Sequence, residues 1–228
     1  MHVMDSIENY RYKYRKAAWQ VTILAHLFGV IAILLMLIWL LHYRGGLDLD
    51  SDNPNLIFNV HPFLMFFGFI FMAGQAMMAY KTVRAERKVQ KIVHMFIHTI
   101  AICLGVVGLH AVFKFHERRN ITNLYSLHSW IGITTFSLFC LQWLFGFSLF
   151  LFPRGSEYTR ARAVPWHVFG GRALLYMAIC TAETGLMEKV TFLQLQHHRE
   201  ARLINFLGFT ILIFGITVDI SAALTHFI

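Results

Sequence analysis

Residues 92–115 read IVHMFIHTIAICLGVVGLHAVFKF, twenty-four residues with a single formal charge, Lys114, and no proline. As an α-helix this stretch is roughly 36 Å long, enough to cross a hydrocarbon layer of about 30 Å. Its apolar residues form a block around the whole helix, not the one-sided stripe of a soluble amphipathic helix. Working outward, five more runs share this character, at about 19–43, 57–80, 127–152, 167–187 and 203–227. None is broken by a proline in mid-span. The first is too long for the core of a signal peptide and has no small-residue cleavage site, so it counts as a helix. Backbone N–H and C=O groups in lipid must be satisfied within the segment, which favours helices in all six runs. The chain of 228 residues is 57% hydrophobic and 14% charged, with a mean hydropathy of +0.55; a soluble domain carries about 25% charged residues. The expectation is an all-α integral membrane protein. It is a single domain over 1–228, a six-helix bundle whose short connections make successive helices antiparallel neighbours.

The net charge of +8 has no soluble basic domain to carry it, which argues against nucleic acid as a partner and for membrane topology. Twelve cations fall on one side: Arg11, Lys13, Arg15 and Lys16 before helix 1, Lys81, Arg84, Arg87, Lys88 and Lys91 around the 2–3 connection, and Arg154, Arg160 and Arg162 in the 4–5 connection. Seven fall on the other: Arg44, Lys114, Arg118, Arg119, Lys189, Arg199 and Arg202. The richer side is the cytoplasmic one, so both termini are expected in the cytoplasm. Cys103, Cys140 and Cys180 lie inside spans and read as small apolar fillers. Asn120-Ile121-Thr122 is a glycosylation sequon very close to the membrane.

Thirteen histidines are many for such a chain. His61, His94, His128 and His167 follow one another at intervals of 33, 34 and 39 residues, one helix and one loop each time. Each opens a span, so they alternate between faces: His61 and His128 outside, His94 and His167 at the cytoplasmic side. A single histidine near a helix end is more often an interfacial hydrogen-bonder than a ligand. Four of them, two per face, change that reading, because ionisable groups within spans are costly and imidazole is the commonest metal ligand. One histidine from each of two helices can grip a haem. The expected pairs are His61 with His128 and His94 with His167, which makes two b-type haems near opposite faces. With both axial positions filled, such haems carry electrons and do not bind oxygen. His98, one turn beyond His94, could bind zinc or serve as an alternative ligand, with a packing role favoured. His26, His42 and His110 read as structural; His197, His198 and His226 read as loop or terminus residues.

These histidines sit in recognisable segments. His42-Tyr43-Arg44-Gly45-Gly46, Phe58-Asn59-Val60-His61-Pro62, Tyr125-Ser126-Leu127-His128-Ser129-Trp130, Pro165-Trp166-His167-Val168 and Thr184-Gly185-Leu186-Met187-Glu188-Lys189 resemble the cytochrome b561 family, and most of all its plant-type, ascorbate-using branch. The resemblance covers about residues 20–220. It implies the same axial pairs and a homodimer of six-helix protomers in a vacuolar, endomembrane or plasma membrane. Helices 2 to 5, about 57–187, would form a dihaem core. It further implies an oxidoreductase that takes electrons from cytoplasmic ascorbate and delivers them outside to monodehydroascorbate or a ferric chelate.

Ascorbate is an anion, so its site should be basic. Lys81, Arg87 and Lys91 flank the start of helix 3 and Arg160 precedes His167; by residue type alone they read first as topology anchors that touch lipid head groups. The resemblance tips them toward ascorbate, Lys91 foremost. It also implies that His116 helps bind the exterior substrate; Tyr125 nearby reads either as a further hydrogen-bonder to that substrate or as an ordinary interfacial tyrosine. Arg172, about one turn inside helix 5, is expected either at a haem propionate or snorkelling to the interface, with the propionate preferred. Glu183 and Asp219 are open between proton relay and helix–helix bonding. Two other classes fit parts of the pattern: a haem-free proton or metal-ion transporter, and a haem b anchor subunit of a larger complex.

Overall fold

The computed structural model describes residues 2–224, without the side chains of 2–7, 9–11 and 15. Met1 and 225–228 lie outside it; so do the expectations for His226 and for the side chains of Arg11 and Arg15. Among the described residues there are six long helices and no strand. The first, α1, runs over His2–Ile38 and ends in a π-helical turn, Trp39–Tyr43. Next come α2 (Pro54–Thr82), α3 (Arg87–Arg119) and α4 (Leu127–Phe150), then α5 (Glu157–Phe192) and α6 (Arg199–Leu224). The all-helical, membrane-crossing architecture expected from the apolar runs is therefore present. Among the described residues five of these helices are long and apolar enough to cross a membrane. The apolar stretch of α5 is diluted by Arg172 and Glu183.

Local sequence sets the helix ends. Pro54 occupies the first turn of α2, where its missing N–H is harmless, and the Asn53 side chain accepts from Asn55 N–H. Ser126 and Ser129 form a reciprocal capping box at the start of α4. Ser156 caps α5 at Thr159, eleven residues before the apolar run begins. Asn120 closes α3 in a left-handed conformation, φ 52°. Pro62 lies inside α2, and the helix opens into π geometry directly after it, over Leu64–Phe71. A proline deprives the residue four positions earlier of its hydrogen-bond donor, and a π segment is one way for a helix to absorb the change.

Three antiparallel pairs build the bundle: α2 with α3, α4 with α5, and α1 with α6. The α1–α6 pair closes over the edges of α2 and α5, with Phe214 and Ile211 of α6 fully buried. Although consecutive, α3 and α4 touch only sparingly. The two hairpins α2/α3 and α4/α5 thus face each other across a seam. At its middle, Phe69 of α2 packs edge-on against Phe136 and Phe139 of α4, at 5.4 and 4.8 Å between ring centroids.

Candidate functional site

The four regularly spaced histidines all turn into this seam, and they meet in twos. His61 of α2 faces His128 of α4, with ring centroids 6.2 Å apart and planes at 90°. His94 of α3 faces His167 of α5, at 6.3 Å and 66°. Each pair joins one hairpin to the other, the first at the end expected from the charge bias to be the outer one and the second at the end expected to be the inner one.

Three of the four rings are oriented by backbone carbonyls of the neighbouring helix. Nδ1–H of His61 donates to the Gly108 carbonyl at 3.0 Å, that of His94 to Ala76 at 2.8 Å, and that of His128 to Thr181 at 2.8 Å. A carbonyl can only accept, so Nδ1 carries the proton and the Nε2 lone pair is free. A bond of this kind is what orients a metal-binding imidazole. Nδ1 of His167 is buried and has no such partner among the described residues; there Gln142 Nε2 donates to the His167 carbonyl at 2.7 Å. The α4/α5 hairpin is internally repetitive: His128 packs against Gly185, where a Cβ would stand 2.6 Å from its Cε1, and His167 packs against Gly146, at 3.0 Å. Each glycine lies eighteen residues after the histidine of its own helix.

The spacing suits one metal between two imidazoles. With metal–nitrogen distances of about 2.0–2.1 Å and ring centres about 1.1 Å behind each nitrogen, opposed centroids stand roughly 6.3 Å apart. Both pairs match this within 0.1 Å. No group of three or more His, Cys, Asp or Glu gathers as a metal cage among the described residues. Two imidazoles per site is the number with which a protein can grip one haem iron. His98 stands 4.5 Å from His94, edge-on at 88°, and 5.2 Å from Phe139.

At the inner end, Arg87 lies over the Tyr80 ring, 5.2 Å from its centroid, and Tyr80 is in turn 5.3 Å from His94. Lys91 is within electrostatic reach of Arg87, Arg154 and Arg160, so that four cations gather where α3 and α5 begin. Lys81 Nζ donates one of its three N–H groups to the Ser221 carbonyl of α6. Arg172 likewise gives Nε–H and one Nη–H to Asp219 of α6, at 2.5 and 2.9 Å, and Tyr176 adds a bond to the same carboxylate at 3.1 Å. Only the remaining N–H groups of Arg172 are left for any cofactor carboxylate. Asp219 thus bonds a neighbouring helix, the second of the two roles left open for it. Glu183 rests against α6 at Gly208, its Oε2 2.6 Å from where a Cβ there would stand.

At the outer end, His116 Nδ1–H donates to Asn123 Oδ1 at 2.8 Å. The Tyr125 side chain is largely exposed, and its hydroxyl is pushed above the ordinary tyrosine range by partial desolvation and by the Glu188 carboxylate. The segment 42–46 is tied down at both levels. Arg44 and Trp39 both donate to the buried Glu200, Trp39 at 2.8 Å, and Asn59 Nδ2 donates to the Arg44 and Gly46 carbonyls at 3.1 and 2.7 Å. Gly45 and Gly46 take φ of 80° and 116°, a region that favours glycine. Lys189 holds its ammonium 3.6 Å above the Phe58 ring centroid. The contacts of Gly146, Gly185, Asn59, Gln142 and Lys189 were not read from the sequence, although Asn59, Gly185 and Lys189 stand in its recognisable segments; the repeated eighteen-residue His–Gly interval was a signal that could have found the glycines.

Proteins of similar sequence point to one family. The sequence profile described as eukaryotic cytochrome b561 matches residues 60–193, the part that contains all four paired histidines. Transmembrane ascorbate ferrireductase 2 of Arabidopsis thaliana is 46% identical over 192 residues, covering 82% of this chain and 84% of its own. Transmembrane ascorbate ferrireductase 1 of the same plant is 43% identical over 210 residues, 90% and 88% of the two chains. Ascorbate-specific transmembrane electron transporter 2 of Zea mays is 40% identical over 206 residues, 88% and 87%.

Proposed function

The chain belongs to the eukaryotic cytochrome b561 family, and from that premise we propose that it is an oxidoreductase moving electrons from ascorbate on the cytoplasmic side to an acceptor on the other side of the membrane. The family implies b-type haem. We assign two, one to His61 and His128 and one to His94 and His167. The observation that carries this is the pair of inter-hairpin histidine contacts, 6.2 and 6.3 Å between ring centroids, at opposite ends of one seam.

When bound, haem b supplies a one-electron iron couple and the protein supplies its surroundings. His61, His94 and His128 are held in one tautomer by backbone carbonyls, so each offers Nε2 with little reorganisation. Phe69, Phe136 and Phe139 fill the middle of the seam and keep water out between the two sites. Arg87, Lys91 and Arg160 gather positive charge at the inner mouth, where an ascorbate anion would dock, and Tyr80 joins that surface to His94. Lys81 and Arg172 serve this arrangement indirectly, fixing α2 and α5 to α6. On the outer face, His116 and Tyr125 would receive monodehydroascorbate or a ferric chelate, with Nε2 of His116 available to give or take a proton.

Reduced-minus-oxidised spectra of the purified protein and of single alanine variants test the assignment. His61→Ala and His128→Ala should each remove the same haem component, and His94→Ala and His167→Ala the other. Loss of both components together from all four variants, or a colourless wild-type protein, overturns it.

A further inference from the structure

At the outer end of the seam one cation lies between the candidate ligand and the candidate substrate residue. Lys189 leaves the last turns of α5 and lays its ammonium 3.6 Å above the centroid of Phe58 and 5.9 Å from that of Phe115. These two rings are themselves in edge contact at 5.0 Å. The Phe58 ring lies 6.1 Å from the ring of His61, and Phe115 lies 5.9 Å from that of His116. Lys189 therefore borders both the candidate outer ligand and the candidate outer substrate residue.

Its charge has no carboxylate of its own. Among the described residues the ion pairs are Arg44–Glu200, Lys114–Asp50 and Arg172–Asp219. Glu200, the acid that acts on it electrostatically, is already taken by Arg44 and Trp39. A lysine at a helix end ordinarily extends into water; this one is half-buried against two aromatic faces. Aromatic faces stabilise a cation less than water or a carboxylate does, so a position like this is favourable chiefly when an anion completes it.

We propose that Lys189 receives a carboxylate-type anion beside His61. The inference rests on the functional reading above, and the anion has two possible sources with one chemistry: an acidic edge group of the outer haem, or an anionic acceptor arriving from the outer aqueous phase. Arg44, bound to Glu200, belongs to the scaffold under this site and not to the site itself.

The test uses Lys189→Met and Lys189→Arg in the full-length protein, with an equilibrium spectroscopic redox titration and steady-state reduction of ferric citrate. The wild-type spectrum alone tests the two-haem reading, and the component lost in His61→Ala marks the outer site. A downward shift in the potential of that component in Lys189→Met, with the other component unmoved and KM for ferric citrate unchanged, supports the proposal and identifies a haem carboxylate. An unchanged potential with a several-fold rise in KM at constant kcat supports it and identifies the acceptor. Lys189→Arg should restore whichever property moved, including outer haem content if the methionine variant loses it. If neither property moves, or if arginine behaves as methionine does, the proposal is overturned.

Discussion

A Cβ placed on Gly185 would stand 2.6 Å from Cε1 of His128, so the backbone of α5 forms the wall against which the outer imidazole of α4 is set. Gly185→Ala must push either the ring or the helix, and the ring is the part tied at Thr181. Overpacking of this kind costs about 1–3 kcal/mol. The expected result is a large loss of one haem component with the other retained, read by haem content and by thermal unfolding in detergent. Gly146→Ala, with 3.0 Å to His167, should act on the other component and more mildly. Full content of both haems in Gly185→Ala would show that His128 does not need this wall.

How much of this was legible follows from what periodicity can report. Six apolar runs fixed the number and order of helices, and the intervals between His61, His94, His128 and His167 placed two imidazoles at each end before any contact was known. Hydropathy describes only the part of a helix in lipid. It therefore missed the ten residues by which α5 extends from Ser156 before its apolar run, and it could not foresee the π geometry after Pro62. Long side chains were the least legible. Lys81, Arg172 and Lys189 each sit where a cation could reach lipid, ligand or neighbouring helix. Only the packing of α6 and the Phe58–Phe115 pair shows that two are bound to α6 and one lies on aromatic faces.

Arg172 and Asp219 make an unequal pair, with side chains 40% and 10% exposed. Removing Asp219 leaves an arginine that can extend toward the interface. Removing Arg172 strands a largely buried carboxylate, a change that costs about 3–5 kcal/mol when a buried pair is broken. Arg172→Ala should therefore lower the thermal transition further than Asp219→Ala. The double variant Arg172→Met/Asp219→Leu should be more stable than Arg172→Ala, because no charge remains unpaired. A double variant as unstable as the arginine variant alone would mean the pair does more than neutralise itself.

Lys91 stands among Arg87, Arg154 and Arg160 and is one turn from His94. If an ascorbate anion docks there, Lys91→Ala removes one charge-assisted contact, about 1–2 kcal/mol, which corresponds to a rise of roughly 5- to 30-fold in KM for ascorbate. Haem content should be unchanged. The wild-type rate should also fall as salt is raised toward 1 M, where the screening length is about 3 Å, and the variant should respond less. Stopped-flow reduction by ascorbate at two ionic strengths checks both points; an unchanged KM would remove Lys91 from the donor site.

His98 is the residue most easily mistaken for a ligand, since it lies on the same face of α3 as His94. Its ring meets His94 edge-on, at 4.5 Å and 88°, and packs on Phe139, and its buried Nδ1 has no hydrogen-bond partner among the described residues. A buried donor left unsatisfied costs about 1–3 kcal/mol, and an apolar replacement of similar volume removes that cost along with the polar group. His98→Leu should therefore keep both haem components and unfold at no lower temperature than wild type, whereas His94→Ala loses the inner component. The two outcomes separate the roles because both residues share one helix and one turn, so a general disturbance of α3 would affect them alike. If His98→Leu loses the inner haem while His94→Ala retains it, the ligand assignment on α3 moves one turn deeper.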